Sequence, residues 1–474
     1  MKEILIRLHG KKAKYIQIYE YFRHAIEINE ISEGERLPSI RSLSNMLGVS
    51  KITVQKAYDQ LCSEGYVDNA QRKRFTAASL GVSQLQWPQD TVREKAPIME
   101  EEAGQTTEPP LKFDLSTGIM DAGGFDFAIW KKYIGRALQE SEVLMRYGQI
   151  QGEESLRYEI AAYCRQSRGV DVEPEQIVIG ASTQNLLQIL CGLLKNEKNV
   201  IAFENPGFKN GRQIFEDHKF SVIPVRMQTD GISMEELEAS GAGIVYVSPS
   251  HQFPTGRIMS IGKRNTLLNW AKYSSAYVIE DDYDSEFRYY GNPIPALKGL
   301  DRYERVIYLG SFSKILPPSI RISYMILPRT LLAVYREKKR LYTQEASTLE
   351  QLTLALYMGD GQLSRQIRRL RKLYFEKRTI FIKALRDIFQ EAIEIEDTGS
   401  GLFVIVSIES TVDAHSLREM AKRHGLKVAL MQDFMLETDS SEKSEKLILY
   451  FSGIPCELIY DTLEELKEVW DVSV

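Results

Sequence analysis

Beyond about residue 111 the chain settles into a rhythm. Short apolar runs (QIVIG, VIAFE, SVIPV, GIVYVS, AYVIED, VIYLGS and ISYMIL) alternate with longer amphipathic or loop stretches. No other feature constrains the fold as much. Runs of this length suit strands buried on both faces, and helix-length segments between them suit the crossovers of a mainly parallel sheet. A mixed α/β domain is therefore expected. A long charged helix is expected over 360–390, and 391–474 returns to α+β alternation, as a smaller terminal subdomain would.

The first segment reads differently. Tyr15 to Ile28 places Ile16, Tyr19, Phe22 and Ile26 at helical spacing. In LPSIRSLSNMLGVSKITVQKAYDQLCSEGYV, residues 37–67, Ser39 can cap one short helix that ends at Gly48. Ser50 can cap a second that ends at Gly65. Val54, Ala57, Tyr58 and Leu61 share one face of the second helix, leaving Lys51, Thr53, Gln55 and Lys56 to point outward. Two short helices around a Gly-Val turn form a helix-turn-helix pattern. Residues 80–110 have little periodicity and are rich in Glu, Gln, Thr and Pro, the composition of a linker.

Charge divides along the same lines. Residues 1–79 hold 13 Lys/Arg against 9 Asp/Glu, a balance of +4, whereas the whole chain carries −5. A basic first domain on an acidic protein suits a polyanion partner for that part alone. At 474 residues two or three domains are expected. No uncharged apolar run approaches membrane-spanning length and the N-terminus has no signal-peptide core, so a cytoplasmic protein is expected. Cys62, Cys164, Cys191 and Cys456 are scattered, without CxxC spacing or clustered histidines. That argues for free thiols and against a structural zinc or other metal site.

In a parallel sheet, functional groups collect where strands end. GASTQNLL (180–187) follows a strand and opens a helix, so its backbone N–H groups and the Ser182 and Thr183 oxygens suit a phosphate. An ordinary helix cap would look the same. AYVIEDDYDSEF (276–287) ends a strand in Asp281 and Asp282, and buried carboxylates there call for a cationic or protonated partner. In GSFSKILPPSIR (310–321), Lys314 could form an imine, and the Arg321 fork could hold a phosphate. Each alone has a structural reading. Together they supply what pyridoxal phosphate needs: a phosphate anchor, a partner for the pyridinium nitrogen and an amine.

At these residues a resemblance becomes recognisable. Residues 111–474 resemble a fold-type I aminotransferase. The whole chain resembles the MocR/GabR group of GntR-superfamily regulators, which join a winged helix-turn-helix to an aminotransferase-like domain. LPSIRSLSNMLGVSKITVQKAYDQLCSEGY, RYGQIQGEESLR, GASTQNLL, ENPGF, SPSHQFPTG, EDDYDSEFR and GSFSKILPPSIR carry it, in this order. The resemblance implies a winged helix-turn-helix over 1–79, a linker over 80–110 and a pyridoxal-phosphate-binding effector domain over 111–474. The last would have a large subdomain of about 165–325 and a small one from 111–164 and 326–474.

It further implies that Lys314 is the Schiff-base lysine and Asp281 the ring-nitrogen partner. Tyr283 would bond the ring hydroxyl, Phe208 would stack on the ring, and Ser182, Thr183, Ser311, Ser313 and Arg321 would hold the phosphate. Tyr147 matches a tyrosine that reaches the neighbouring subunit's phosphate, implying a head-to-tail homodimer. On the DNA side the implied contacts are Arg41, Lys51, Thr53 and Lys56, with Arg72, Lys73 and Arg74 on a wing lacking the usual glycine-rich tip.

One position departs from the family. The arginine expected to hold a substrate α-carboxylate opens a motif like RLGFA, and its counterpart here is ILYFS, with Ile448 in the arginine's place. No arginine follows Arg423, and the nearest cation is Lys446. Two functions remain open at the level of sequence. One is a DNA-binding regulator that senses an amine, amino-acid or B6-related effector through pyridoxal phosphate. The other is a working aminotransferase with an appended DNA-binding module. The missing arginine favours sensing.

Overall fold

The computed structural model describes residues 6, 8, 12–70, 74–79, 110–194, 198–291, 294–408, 412–436 and 446–470. The chain divides into two compact units, Met1–Thr106 and Thr107–Val474.

In the first unit, α1 (Lys14–Glu27), α2 (Ile40–Leu47) and α3 (Lys51–Ser63) precede an antiparallel pair, β1 (Val67–Ala70) and β2 (Arg74–Ala77). Ser39 and Ser50 cap α2 and α3, their hydroxyls accepting from Ser42 N–H and Thr53 N–H. Gly48 makes the turn between the two helices at φ +61°, a left-handed conformation costly for a residue with a Cβ. Ile18, Phe22, Leu43, Val54, Ala57, Tyr58 and Leu61 are fully enclosed. Ile18, rather than Ile16, is the inward residue of α1's first turns. The Tyr58 hydroxyl donates to the Pro38 carbonyl at 3.0 Å, tying α3 to the entry of α2.

The second unit opens with β3 (Phe113–Leu115) and continues through β4 (Ile177–Gly180), β5 (Val200–Asn205), β6 (Ser221–Gln228), β7 (Gly231–Ile232), β8 (Ile244–Val247), β9 (Tyr277–Asp282), β10 (Val306–Ser311) and β11 (Ser323–Ile326). Strands β4 to β11 form one sheet in the order β4-β11-β10-β9-β8-β5-β6-β7. Its centre, β10-β9-β8-β5-β6, is parallel, and its flanking pairs are antiparallel. β12 (Ile393–Glu396), β13 (Phe403–Ile408), β14 (Leu426–Leu430) and β15 (Lys446–Tyr450) form a second sheet, ordered β12-β13-β15-β14-β3. β3, from the start of the unit, lies parallel to β14 at its edge.

Register in the larger sheet decides where chemistry gathers. Gly180 of β4 lies opposite Ser323 of β11, which lies opposite Ser311 of β10. On the other side of β10, Leu309 and Gly310 lie opposite Asp281 and Asp282 of β9. Two serine-bearing strand ends, the glycine end of β4 and two carboxylates therefore meet at one edge, as expected where strands of an α/β sheet end.

The helix Gln362–Phe389 carries an enclosed ammonium, Lys377, 1% exposed. It pairs with Asp121 and donates to the carbonyls of Ser452 (2.8 Å) and Ile454 (2.5 Å), which fixes the segment after β3 to the end of β15. Among the described residues no helix is long and apolar enough to cross a membrane.

Candidate functional site

A cavity of about 270 Å³ opens at the aligned strand ends, lined among others by Ser182, Thr183, Ser311, Ser313, Arg321 and Ser323. The helix Thr183–Leu194 begins here, with Thr183 and Gln184 of its first turn in the cavity's lining. Gly180 is required because a Cβ there would come within 2.7 Å of the Asn185 and Leu186 side chains. The Ser182 hydroxyl accepts from Asn185 N–H at 3.1 Å, the cap geometry. Ser311 Oγ lies 3.0 Å from Ser313 Oγ and 3.2 Å from Ser323 Oγ, a cluster of short hydroxyls. Arg321 is exposed and held at φ +56° after a short 3₁₀ turn. Hydroxyls, a helix N-terminus and one guanidinium in a cavity of this size suit a dianionic phosphate.

Next to this cavity, Asp281 accepts from the Tyr246 hydroxyl at 2.6 Å. Burial raises its carboxyl to about 7, against the lowering effect of that bond, and the nearby Asp282 and Asp284 raise it further. Asp282 serves the other side of β9. It lies 2.6 Å from the Arg168 guanidinium, and both side chains are almost completely enclosed. Arg168 also donates to Ser250 Oγ and the Ile294 carbonyl, so the pair is a structural bolt beneath the sheet.

Lys314 donates from Nζ to the Gly118 carbonyl at 2.8 Å. Burial lowers its pKa, and Asp284 opposes that shift. A lysine so desolvated has a larger neutral fraction at neutral pH, the state a nucleophilic amine needs.

In the first unit Arg41, Lys51 and Lys56 are exposed, and Lys51 opens α3. Thr53 lies in the first turn of α3. Its hydroxyl lies 2.8 Å from Ser50 Oγ in an exposed hydrogen bond, and the residue is half-buried. Arg72 and Lys73 lie outside the described residues; of Arg74 only the backbone, in β2, is described.

Comparison with known proteins joins the two halves. Residues 111–439 match the aminotransferase class I and II family, and residues 14–76 match the bacterial regulatory proteins of the gntR family. The chain is similar to the uncharacterized HTH-type transcriptional regulator YdeL of Bacillus subtilis, 38% identical over 97% of each chain. It is also similar to the probable rhizopine catabolism regulatory protein MocR of Rhizobium meliloti, 28% identical over 96% of this chain and 93% of that one. The chain belongs to the MocR-type transcriptional regulators. Its larger unit also resembles a solved archaeal alanine:glyoxylate aminotransferase, with TM-score 0.69 and 27% identity over 78% of this chain and 93% of that one.

In this MocR-type regulator Ile448 is fully enclosed in β15, opposite Ile405 of β13 and Ala429 of β14. Lys446, two residues back on the same face, is ion-paired with Glu396. Phe208 caps the helix Lys209–Asp217, its ring 6.2 Å from that of Tyr246 and tilted 30°. Its loop is held by Gln252, whose amide donates to Glu204 Oε2 (3.2 Å) and the Pro206 carbonyl (2.9 Å). Tyr147 makes no ring contact among the described residues and is 105% exposed, fully open in the isolated chain.

Several site residues were not singled out from sequence. His251, from SPSHQFPTG, lies 2.8 Å through Nδ1 from Asp284 Oδ1, and the Tyr283 hydroxyl is 3.1 Å from the same nitrogen. His251 and Asp284 are each 3% exposed. Both stand inside motifs quoted above, yet nothing in the linear pattern says that they pair. Tyr246 and Tyr450 bore no sequence signal beyond their strands.

Proposed function

We propose that this regulator binds pyridoxal phosphate at Lys314 and uses the bound cofactor to read a small effector, an amine, amino acid or B6-related molecule, that governs the hold of its basic heads on operator DNA. One observation carries the reading. A hydroxyl-lined cavity with a guanidinium, a buried carboxylate and a burial-depressed lysine amine all meet at the end of one sheet. These groups fit the cofactor's phosphate, ring nitrogen and aldehyde.

In this reading Ser182, Thr183, Ser311, Ser313 and Arg321 hold the phosphate. Asp281 faces the ring nitrogen; a carboxyl raised to about 7 by burial gains a cationic partner and ionises. Tyr246, donating to Asp281, fixes its orientation. Tyr283 serves the ring hydroxyl, with His251 behind it, and Phe208 covers the ring. Lys314 supplies the amine, kept partly neutral by desolvation. When bound, the cofactor supplies an electrophilic carbon that takes up primary amines reversibly.

The domain plan is 1–79, 80–110 and 111–474, and the assembly is a cytoplasmic head-to-tail homodimer. The exposed Tyr147 then reaches the phosphate of the neighbouring site. Two heads per dimer read paired half-sites. Effector binding shifts the balance between dimer forms by its differential affinity for them, and the linkers pass the change to the heads. With Ile448 enclosed and Lys446 paired, sensing is favoured over turnover.

The test is the visible absorbance of the purified protein beside Lys314→Ala, followed by duplex affinity with and without candidate amines. A visible band lost in the variant and an affinity that changes with one ligand are expected. No band, or an affinity unmoved by loading with cofactor and amine, overturns the reading. Release of a keto acid in step with amino-acid consumption would instead favour an aminotransferase.

A further inference from the structure

The wall of the site on the side of the small sheet is aromatic. Tyr450, the last residue of β15, has its ring 5.1 Å from that of Phe403 at the start of β13. Phe403 in turn meets Phe253 at 6.2 Å, and Phe253 meets Phe434 at 4.7 Å. The wall reaches the lysine itself. A Cβ placed on Gly118 would come within 2.9 Å of Lys314 Nζ and 3.0 Å of Tyr450 Cε1, so amine and phenol ring flank the same glycine.

Tyr450 is unusual within this wall. The residue is 8% exposed, yet its hydroxyl makes no hydrogen bond among the described residues. Its oxygen, unlike those of Ser285 and Ser452, is not sealed from solvent. A buried phenol ordinarily finds a partner, and leaving one unpaired is costly. An unpaired hydroxyl on a ring that shares Gly118 with Lys314 is placed to find its partner in a ligand.

The charges around this space limit what that ligand is. From the larger sheet the neighbouring charges are the carboxylates Asp281 and Asp284, the latter paired with His251. The small-subdomain cations near the end of β15 are already engaged: Lys446 by Glu396, Lys377 by Asp121. Arg321 is given to the phosphate and Lys314 to the cofactor. Arg288, which lines a small pocket with His251 and Asp284, donates to the Tyr290 carbonyl. A ligand carboxylate would therefore be desolvated here beside two carboxylates with no cation reserved for it. An ammonium meets carboxylates and the faces of aromatic rings.

We propose that Tyr450 is an effector-reading residue, and that the effector is a primary amine with an apolar or aromatic body and no carboxylate. The phenol oxygen accepts from the ammonium beside Lys314, and Phe403, Phe253 and Phe434 take the body. This rests on the cofactor reading above and narrows it to one class of ligand.

The test uses the full-length protein loaded with pyridoxal phosphate, titrated with 2-phenylethylamine and with L-phenylalanine, which differ by the carboxylate alone. Visible absorbance and melting temperature are both read. The amine is expected to half-saturate at a concentration at least about tenfold below the amino acid. Tyr450→Phe, which keeps the ring, should retain the cofactor band and the melting temperature of the ligand-free protein while weakening the amine roughly five- to tenfold. Equal or better binding of phenylalanine overturns the proposal, as does an amine affinity unchanged in Tyr450→Phe. A wild-type protein that takes up no cofactor overturns the cofactor reading and this proposal with it. A cofactor-loaded protein without preference for the amine overturns this proposal only.

Discussion

Asp281 and Asp282 are neighbours in sequence and serve opposite sides of β9. The first receives the Tyr246 hydroxyl at the site; the second is locked to Arg168. Strand alternation dictates the split, since successive side chains leave a strand on opposite faces.

Their substitution should therefore separate stability from cofactor binding. Asp282→Asn leaves the Arg168 guanidinium enclosed without its counter-ion, a change that costs about 3–5 kcal/mol. Urea unfolding should show that loss. Asp281→Asn keeps a partner for Tyr246 and should unfold near the wild-type midpoint, while its affinity for pyridoxal phosphate falls. Comparable midpoints in the two variants would contradict the division of labour.

Buried carboxyls also set the pH response of the cofactor-free protein. Burial raises Glu204 to about 8, although Ser248 N–H and the Gln252 amide bond to it and lower it in part. Glu280 and Glu286 are likewise raised to about 7, chiefly by burial. The folded state therefore holds protons that the unfolded chain has already released above the ordinary carboxyl range. The stability these groups contribute is then fully present below about pH 4.5 and falls as pH rises from there toward 8, by up to about 1.4 kcal/mol per pH unit for each such group. Glu204→Gln removes one of these protons from the balance. Its urea midpoint should fall less steeply between pH 5 and 8 than that of wild type; an unchanged slope would mean that Glu204 ionises normally.

The phosphate cradle predicts a graded series. Arg321 stands at φ +56°, so asparagine, which tolerates the left-handed region, isolates the loss of charge from backbone strain. Arg321→Asn should weaken pyridoxal phosphate binding roughly 10- to 100-fold, the range of one charge-assisted contact. Ser313→Ala, losing one neutral hydroxyl, should cost only several-fold. Both are measured by equilibrium absorbance titration of the apo-protein. An Arg321→Asn affinity equal to that of Ser313→Ala would remove the guanidinium from the phosphate site.

The sequence disclosed groups that sit at strand ends and missed groups that matter through a partner. Lys314, Asp281, Ser182 and Ser311 were legible because apolar runs announce strands, and the residues after them inherit a position at the sheet's edge. Alternation between apolar runs and amphipathic segments likewise carried the α/β class and the long helix of the second unit. Arg168 meets Asp282 only because β9 lies below the end of a helix more than a hundred residues earlier. His251 meets Asp284 through two loops. Such pairings are fixed by tertiary folding, which one-dimensional periodicity does not encode.

At the DNA end, Lys51 and Lys56 are both exposed on α3 but stand at different depths along it. Lys51 opens the helix, the end that enters the major groove in helix-turn-helix docking, and Lys56 lies more than one turn further on. A lysine that neutralises a backbone phosphate releases counter-ions, so its loss weakens binding to every sequence alike and flattens the salt dependence by about 0.9 in log–log slope per contact. A residue that reads a base edge changes sequence preference and leaves the slope nearly unmoved. Lys51→Ala is expected to alter the preferred half-site in duplexes recovered from a random library, whereas Lys56→Ala should lower affinity across the library and reduce the salt slope. Fluorescence anisotropy of the full-length variants on the recovered duplexes, from 50 to 300 mM salt, measures both. The opposite pattern would reverse the two roles, and wild-type behaviour in both variants would take α3 out of the groove.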